Sequence, residues 1–219
     1  MIDPQTRKAE GRVARPLKRG RQERKDFPME LYQRLAEVID CPDPDLSQRV
    51  DECIALSAPI ENGAVPGLLK EFRAFLGKMP LDTIKELYTR TFDLEPVCYP
   101  YVGYQLFGDG NHRGMFLAGL IEYYQIYDFS SGKELPDRLS VMLRFLARDD
   151  DKEEREELLS FCILPALRKL VQRFSEEGNP YRDLLKAILL LLGEGDEAMT
   201  NVNYWGTRES GAEEFWDGR

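Results

Sequence analysis

Phe92 to Leu120 read FDLEPVCYPYVGYQLFGDGNHRGMFLAGL, and Glu134 to Ala147 read ELPDRLSVMLRFLA. In the second stretch Leu139, Met142, Leu143 and Leu146 recur at steps of three and four, the period of an amphipathic helix. Pro136 is expected to open that helix, which would put Asp137 in its first turn, where the dipole favours a carboxylate. In the first stretch Pro96 and Pro100 make residues 92–100 irregular. A short helix over about 100–107 and a longer one over about 111–127 follow from the apolar spacing. Tyr99, Tyr101, Tyr104 and Phe107 gather aromatic surface on and beside the short helix, with Tyr101 and Tyr104 at i and i+3. Gly103, Gly108, Gly110, Gly114 and Gly119 surround them. Each glycine weakens a helix by about 1 kcal/mol relative to alanine, so this density points to close helix approach or tight turns. Two readings stand side by side. The aromatics are core and the glycines are turns, or the stretch lines a groove for an amphipathic peptide, with tyrosines offering apolar faces and polar tips.

Outward from this stretch the apolar period stays helical. Leu31, Leu35, Val38 and Ile39 line a first helix that Pro42 ends. Asp43-Pro44 is expected to cap and open a second, with Leu46, Val50, Cys53 and Ile54. A third carries Val65, Leu68, Leu69, Phe72, Phe75 and Leu76, and after Pro80 a fourth carries Leu81, Ile84, Leu87 and Tyr88. Ser130-Ser131-Gly132 marks a loop. Asp151 to Glu177 predicts a long helix kinked near Pro165. Asn179-Pro180 starts the last helix, which stops at Gly193. No alternating run with hairpin signals occurs. The expected fold class is all-α, a single compact bundle of about eight to ten helices.

Composition narrows function. The chain has 219 residues, 42% apolar and 32% charged, enough for one domain with a sizeable core. The longest apolar candidate, Leu184 to Leu192, contains Lys186 and falls short of the ~18 residues a membrane span needs, so it reads as a buried helix. The N-terminus is basic without an apolar run behind it and without adjacent arginines, so neither a secretory nor a twin-arginine signal is expected. A cytoplasmic location follows as an expectation. No two of the four cysteines, Cys41, Cys53, Cys98 and Cys162, form a C-x-x-C pair, so they are expected to be reduced and mostly buried, with no metal site and no cofactor. The single histidine, His112, has no metal-ligand residue at helical spacing and reads as a surface residue.

The 92–147 stretch resembles the nitrate reductase assembly chaperones of the NarJ type, within the wider TorD family of redox enzyme maturation proteins. The matching pieces are Phe92-Asp93-Leu94, Tyr101-Val102-Gly103-Tyr104 with Leu106-Phe107-Gly108, Arg113-Gly114 opening a helix, and Glu134-Leu135-Pro136-Asp137 before the next. Helical order and length agree over roughly residues 28–192. The resemblance implies a TorD-like all-α fold and no catalytic activity. It implies a partner, the catalytic subunit of a molybdoenzyme such as nitrate reductase. Such chaperones bind that subunit's N-terminal or twin-arginine-like peptide and hold the apo-subunit for molybdenum cofactor insertion. On this reading the peptide-binding residues are Tyr101, Tyr104, Phe107, Arg113, Glu134, Pro136, Asp137 and Arg138. Many members have Pro-Asp-His where this chain has Pro136-Asp137-Arg138. A permanent cation replaces a group that titrates near neutral pH, which removes pH-dependent release through this position. Arg113 read without the family is a helix-start residue paired with a nearby acid.

Three regions are expected: a basic flexible arm over 1–26, a helical chaperone domain over 27–194, and a polar tail over 195–219. Residues 1–25 hold nine Lys/Arg and three acids in a chain of net charge −9, so the rest is more acidic than the whole. The tail carries Tyr204, Trp205, Phe215 and Trp216, and that aromatic content suits docking, either on the bundle surface, in the chain's own groove in competition with client peptide, or on a partner. An alternative function is an all-helical nucleic-acid-binding or adaptor protein using the arm. The acidic remainder and the lack of an aromatic before Phe27 argue against nucleic acid. A hydrolase would have to use His112 without a G-x-S-x-G elbow. The expected partners therefore include no nucleic acid and no inserted membrane, and the chain is expected to be a monomer or weak dimer.

Overall fold

The computed structural model describes residues 28–59, 64–94, 97–148, 151–174 and 178–193. The basic arm and the aromatic tail lie outside the described residues. All regular structure within them is helical: α1 (Met29–Val38), α2 (Leu46–Ser57), α3 (Val65–Leu76), α4 (Leu81–Phe92), α5 (Val102–Phe107), α6 (Asn111–Ile126), α7 (Leu139–Leu146), α8 (Lys152–Leu158), α9 (Leu164–Arg173) and α10 (Pro180–Leu192). The all-α expectation holds.

The core is built around α10. Leu184, Leu185 and every residue from Ala187 to Leu192 are buried, so this apolar run is a central helix, packed against α3 and α9. At its start the Asn179 side chain accepts a hydrogen bond from the Tyr181 amide at 3.1 Å, the cap expected of Asn before Pro at the first helical position. The Tyr181 ring packs edge-on against Tyr88 and Phe92, with centroids 5.8 and 5.2 Å away, an arrangement that suits aromatic quadrupoles. On the other side α1 packs on α2 and α7, and in α7 only Arg144 escapes burial. No helix of the described residues is long and apolar enough to cross a membrane.

Two local expectations are corrected and a third takes a specific form. Pro136 does not open a helix: Pro136-Asp137 is a turn, Arg138 is extended (φ −64°, ψ 133°), and α7 begins at Leu139. Arg138 instead forms an isolated antiparallel bridge with Tyr101, in which the Val102 amide donates to the Asp137 carbonyl at 2.7 Å and the Leu139 amide to the Pro100 carbonyl at 2.9 Å. Hydrogen bonds to a distant segment outweigh the local preference for helix. Likewise α2 starts at Leu46, because the Asp43 side chain accepts from the Asp45 amide at 2.9 Å and holds Pro44-Asp45 in a turn. The break at Pro165 takes the form of a π turn over Leu159–Ile163, joining α8 and α9 into one continuous helix. Proline brings no amide to the ladder, and widening the preceding turn by one residue accommodates the loss.

Candidate functional site

Gly103, in α5, lies so near Phe116 of α6 and the carboxylate of Asp137 that a Cβ there would sit 2.7 Å from Phe116 Cδ1 and 2.9 Å from Asp137 Oδ2. Glycine at this position is required by close approach. Asp137 is completely buried, and Arg113 from the first turn of α6 addresses both its oxygens, Nε to Oδ2 at 2.9 Å and Nη2 to Oδ1 at 3.4 Å. Burial pushes the Asp137 carboxyl above its ordinary pKa, and the Arg113 guanidinium and the amides of Asp137 and Gly103 oppose that shift. The same guanidinium lies over the rings of Tyr101 and Tyr104, with centroids 5.3 and 5.8 Å away, within cation–π range. Its outer side meets exposed Asp109 at 3.8 Å. The Tyr104 ring also packs on Tyr99, centroids 4.6 Å apart.

Of the expected site residues, Tyr101, Tyr104, Arg113 and Asp137 therefore form one cluster. Tyr101 precedes α5, so the two tyrosines do not share a helix face as expected; they meet through Arg113. Asp137 answers to a buried ion pair, since it stands outside the helix in whose first turn it was expected. Phe107 is half-buried against Phe116, centroids 5.5 Å apart. Pro136 is buried, and its carbonyl accepts from the Tyr124 hydroxyl at 2.9 Å.

Arg138 turns inward. Its guanidinium donates to the Tyr88 hydroxyl at 2.7 Å and to exposed Glu134 at 2.9 Å, and lies 3.6 Å from Asp40, which also pairs with Arg144. Burial pushes the Tyr88 hydroxyl up to about 12, so it stays a neutral partner. Arg138 thereby ties the loop before α7 to α4 and to the end of α1.

A second feature escaped the sequence reading. Leu94, Val97 and Tyr99 before α5, Leu135 before α7, and Met115, Ile121 and Ile126 on α6 are all substantially exposed. The signal was present in α6, which buries Phe116, Gly119, Leu120 and Tyr124 yet carries apolar residues on its other side too. Cys53, Cys98 and Cys162 are buried, with thiols pushed up to about 12, while Cys41 and His112 are exposed.

The sequence model of the nitrate reductase delta subunit family matches residues 61–185, a span that contains every residue of this cluster. The chain belongs to that family. This agrees with the resemblance to NarJ-type chaperones carried by the Tyr101–Gly108, Arg113-Gly114 and Glu134–Asp137 pieces. Among solved structures, a crystal structure from Archaeoglobus fulgidus, described as a redox enzyme maturation protein, has 21% identity and a TM-score of 0.53. The match covers 80% of this chain and 99% of that one. It shows that this delta subunit family member shares that protein's fold. No curated protein sequence matches the chain.

Proposed function

We infer that this chain is a system-specific chaperone for a molybdoenzyme. It binds the N-terminal peptide of the catalytic subunit, nitrate reductase-like, and holds the apo-subunit in the cytoplasm for molybdenum cofactor insertion and assembly. It catalyses no reaction itself. Residues 27–194 form the chaperone domain, with the arm 1–26 and the tail 195–219 appended. The observation that carries the reading is apolar surface beside a built arginine–carboxylate cluster, in a chain of the delta subunit family. Tyr99 packs on Tyr104, Tyr104 covers Arg113, and Arg113 seals a buried carboxylate. An amphipathic peptide needs both parts: apolar surface for its anchors and fixed polar groups for its register. Exposed Glu134 beside Arg138 adds an acid for a basic peptide.

The test is co-purification followed by titration. The full chain, expressed with its neighbouring genes, should recover an apo catalytic subunit of a molybdoenzyme, identified by mass spectrometry. That subunit's N-terminal peptide should then bind in isothermal titration, and the subunit shortened by that peptide should not. Recovery of no such subunit, or equal binding of the shortened one, overturns the reading.

A further inference from the structure

We propose that Arg113 is an internal stand-in for an arginine of the client, filling the pocket formed by Tyr101, Tyr104 and Asp137 until a client arginine displaces it. This rests on the peptide-binding reading above and adds a mode of regulation to the same site.

The pocket has the shape of a guanidinium receptor. A carboxylate at its floor is addressed through two nitrogens, and two tyrosine rings cover the guanidinium. Guanidinium, unlike ammonium, satisfies a carboxylate through a fork and packs flat on aromatic rings, so the pocket selects arginine over lysine.

The walls and the occupant are held differently. Tyr101 and Asp137 are fixed by the antiparallel bridge on either side of them, and the Pro136 carbonyl is held by Tyr124. Arg113 arrives from the first turn of α6, directly after Gly108-Asp109-Gly110. Gly108 has a left-handed φ of 74°, and a Cβ at Gly108, Gly110 or Gly114 would meet nothing within 4 Å. The occupant therefore stands beside open space at the start of α6, and the Tyr101 and Asp137 walls are tied to each other by backbone hydrogen bonds. On leaving, Arg113 has Asp109 as a partner in solvent, since that side chain is 87% exposed and already 3.8 Å away. A buried carboxylate left without a cation is costly, so the pocket passes from one arginine to another without standing empty.

Methylguanidinium is the probe for the pocket, followed by NMR shifts in the full-length chain. Arg113→Ala should bind it at least tenfold more tightly than the wild-type chain, and adding Asp137→Asn should abolish that gain. Arg113→Lys keeps a cation opposite Asp137 and carries the test if the alanine variant does not fold; it too should bind more tightly than wild type. Equal binding by wild type and Arg113→Lys, or binding to neither, overturns the proposal. The second probe is the N-terminal peptide of the recovered catalytic subunit, with each arginine replaced in turn by citrulline. One replacement should weaken binding to the wild type at least tenfold, and Arg113→Lys should tighten binding of the unmodified peptide. Tight peptide binding that is indifferent to every replacement overturns the stand-in and leaves the chaperone reading intact. No peptide binding at all, with the methylguanidinium result as expected, overturns both.

Discussion

α10 and α6 are both apolar helices, and they meet opposite fates. In α10 nine of thirteen residues are buried, and neighbours from the same chain cover all of it from Ala187 to Leu192. In α6 four of sixteen are buried, while Met115, Ile121 and Ile126 stay 56%, 47% and 44% exposed. A helix apolar all round needs cover all round. The difference teaches that composition states the need for cover and is silent on which molecule supplies it. In α10 the chain supplies it; in α6 the outer face is left for a partner, on the reading proposed above.

The comparison breaks most readily at α10. Leu189→Ala should cost about 4 kcal/mol in urea unfolding, because the fully buried site leaves a cavity that the surrounding helices fill only partly. Once folded, the variant should bind client peptide as the wild type does. Equal stability of this variant and wild type would undo the central place given to α10.

The next largest effect belongs to the Arg113–Asp137 pair, where Arg113→Ala should cost about 3 kcal/mol near neutral pH, since it strands a buried carboxylate. The sign of its pH dependence follows from the direction of the Asp137 shift. The folded-state pKa is raised by burial, and removing Arg113 takes away the main opposing charge. A group whose folded pKa lies above its unfolded value contributes stability that is present below the unfolded pKa and lost as pH rises through the folded one. The variant should therefore approach wild-type stability in mild acid and fall behind as pH rises above the ordinary carboxylate range. A gap that is constant with pH would mean that Asp137 is not the stranded group.

Gly103→Ala sharpens the comparison at the α5–α6 contact. The new methyl meets Phe116 and Asp137 at less than 3.0 Å, and relief by shifting α6 outward should hold the loss to about 2 kcal/mol by thermal or urea unfolding. A neutral result would show that α6 rides loosely on α5. The smallest stability effect belongs to Ile121→Ala. An exposed side chain contributes little to folding, so the change should stay within about 0.5 kcal/mol. Its effect should appear in client affinity. Unchanged affinity would remove the α6 outer face from the binding surface.

Helix number and order were legible in the sequence because each segment carries its own apolar period and its own punctuation. Asn179-Pro180 and Gly193 bracket α10 as read, and residues 97–100, ahead of α5, are irregular as Pro100 suggests. The candidate site was legible as a set of residues and less so as geometry. Tyr101, Tyr104, Arg113 and Asp137 were singled out, but the reading put Asp137 at a helix N-terminus and the tyrosines on one face. Arg138 was read as a cation near the peptide, and it turned inward to Tyr88, a partner fifty residues away in the chain.

The sequence by itself determined that this protein is all helical, that its apolar segments are too short or too interrupted to span a membrane, and that its informative stretch resembles NarJ-type chaperones. These follow from local spacing, and local spacing is written in the chain. Only the tertiary structure decided that Pro136-Asp137 is a turn, that Arg113 closes the pocket over Asp137, and that the outer face of α6 is left exposed by the described residues. Each depends on pairings between segments far apart in sequence: the Tyr101–Arg138 bridge, the approach of Gly103 to Phe116, and the choice of α10 over α6 for the centre of the core. Hydrogen bonds and close contacts across such separations outweigh the fraction of a kcal/mol per residue by which local propensity favours one conformation, so they overrule it where the two disagree.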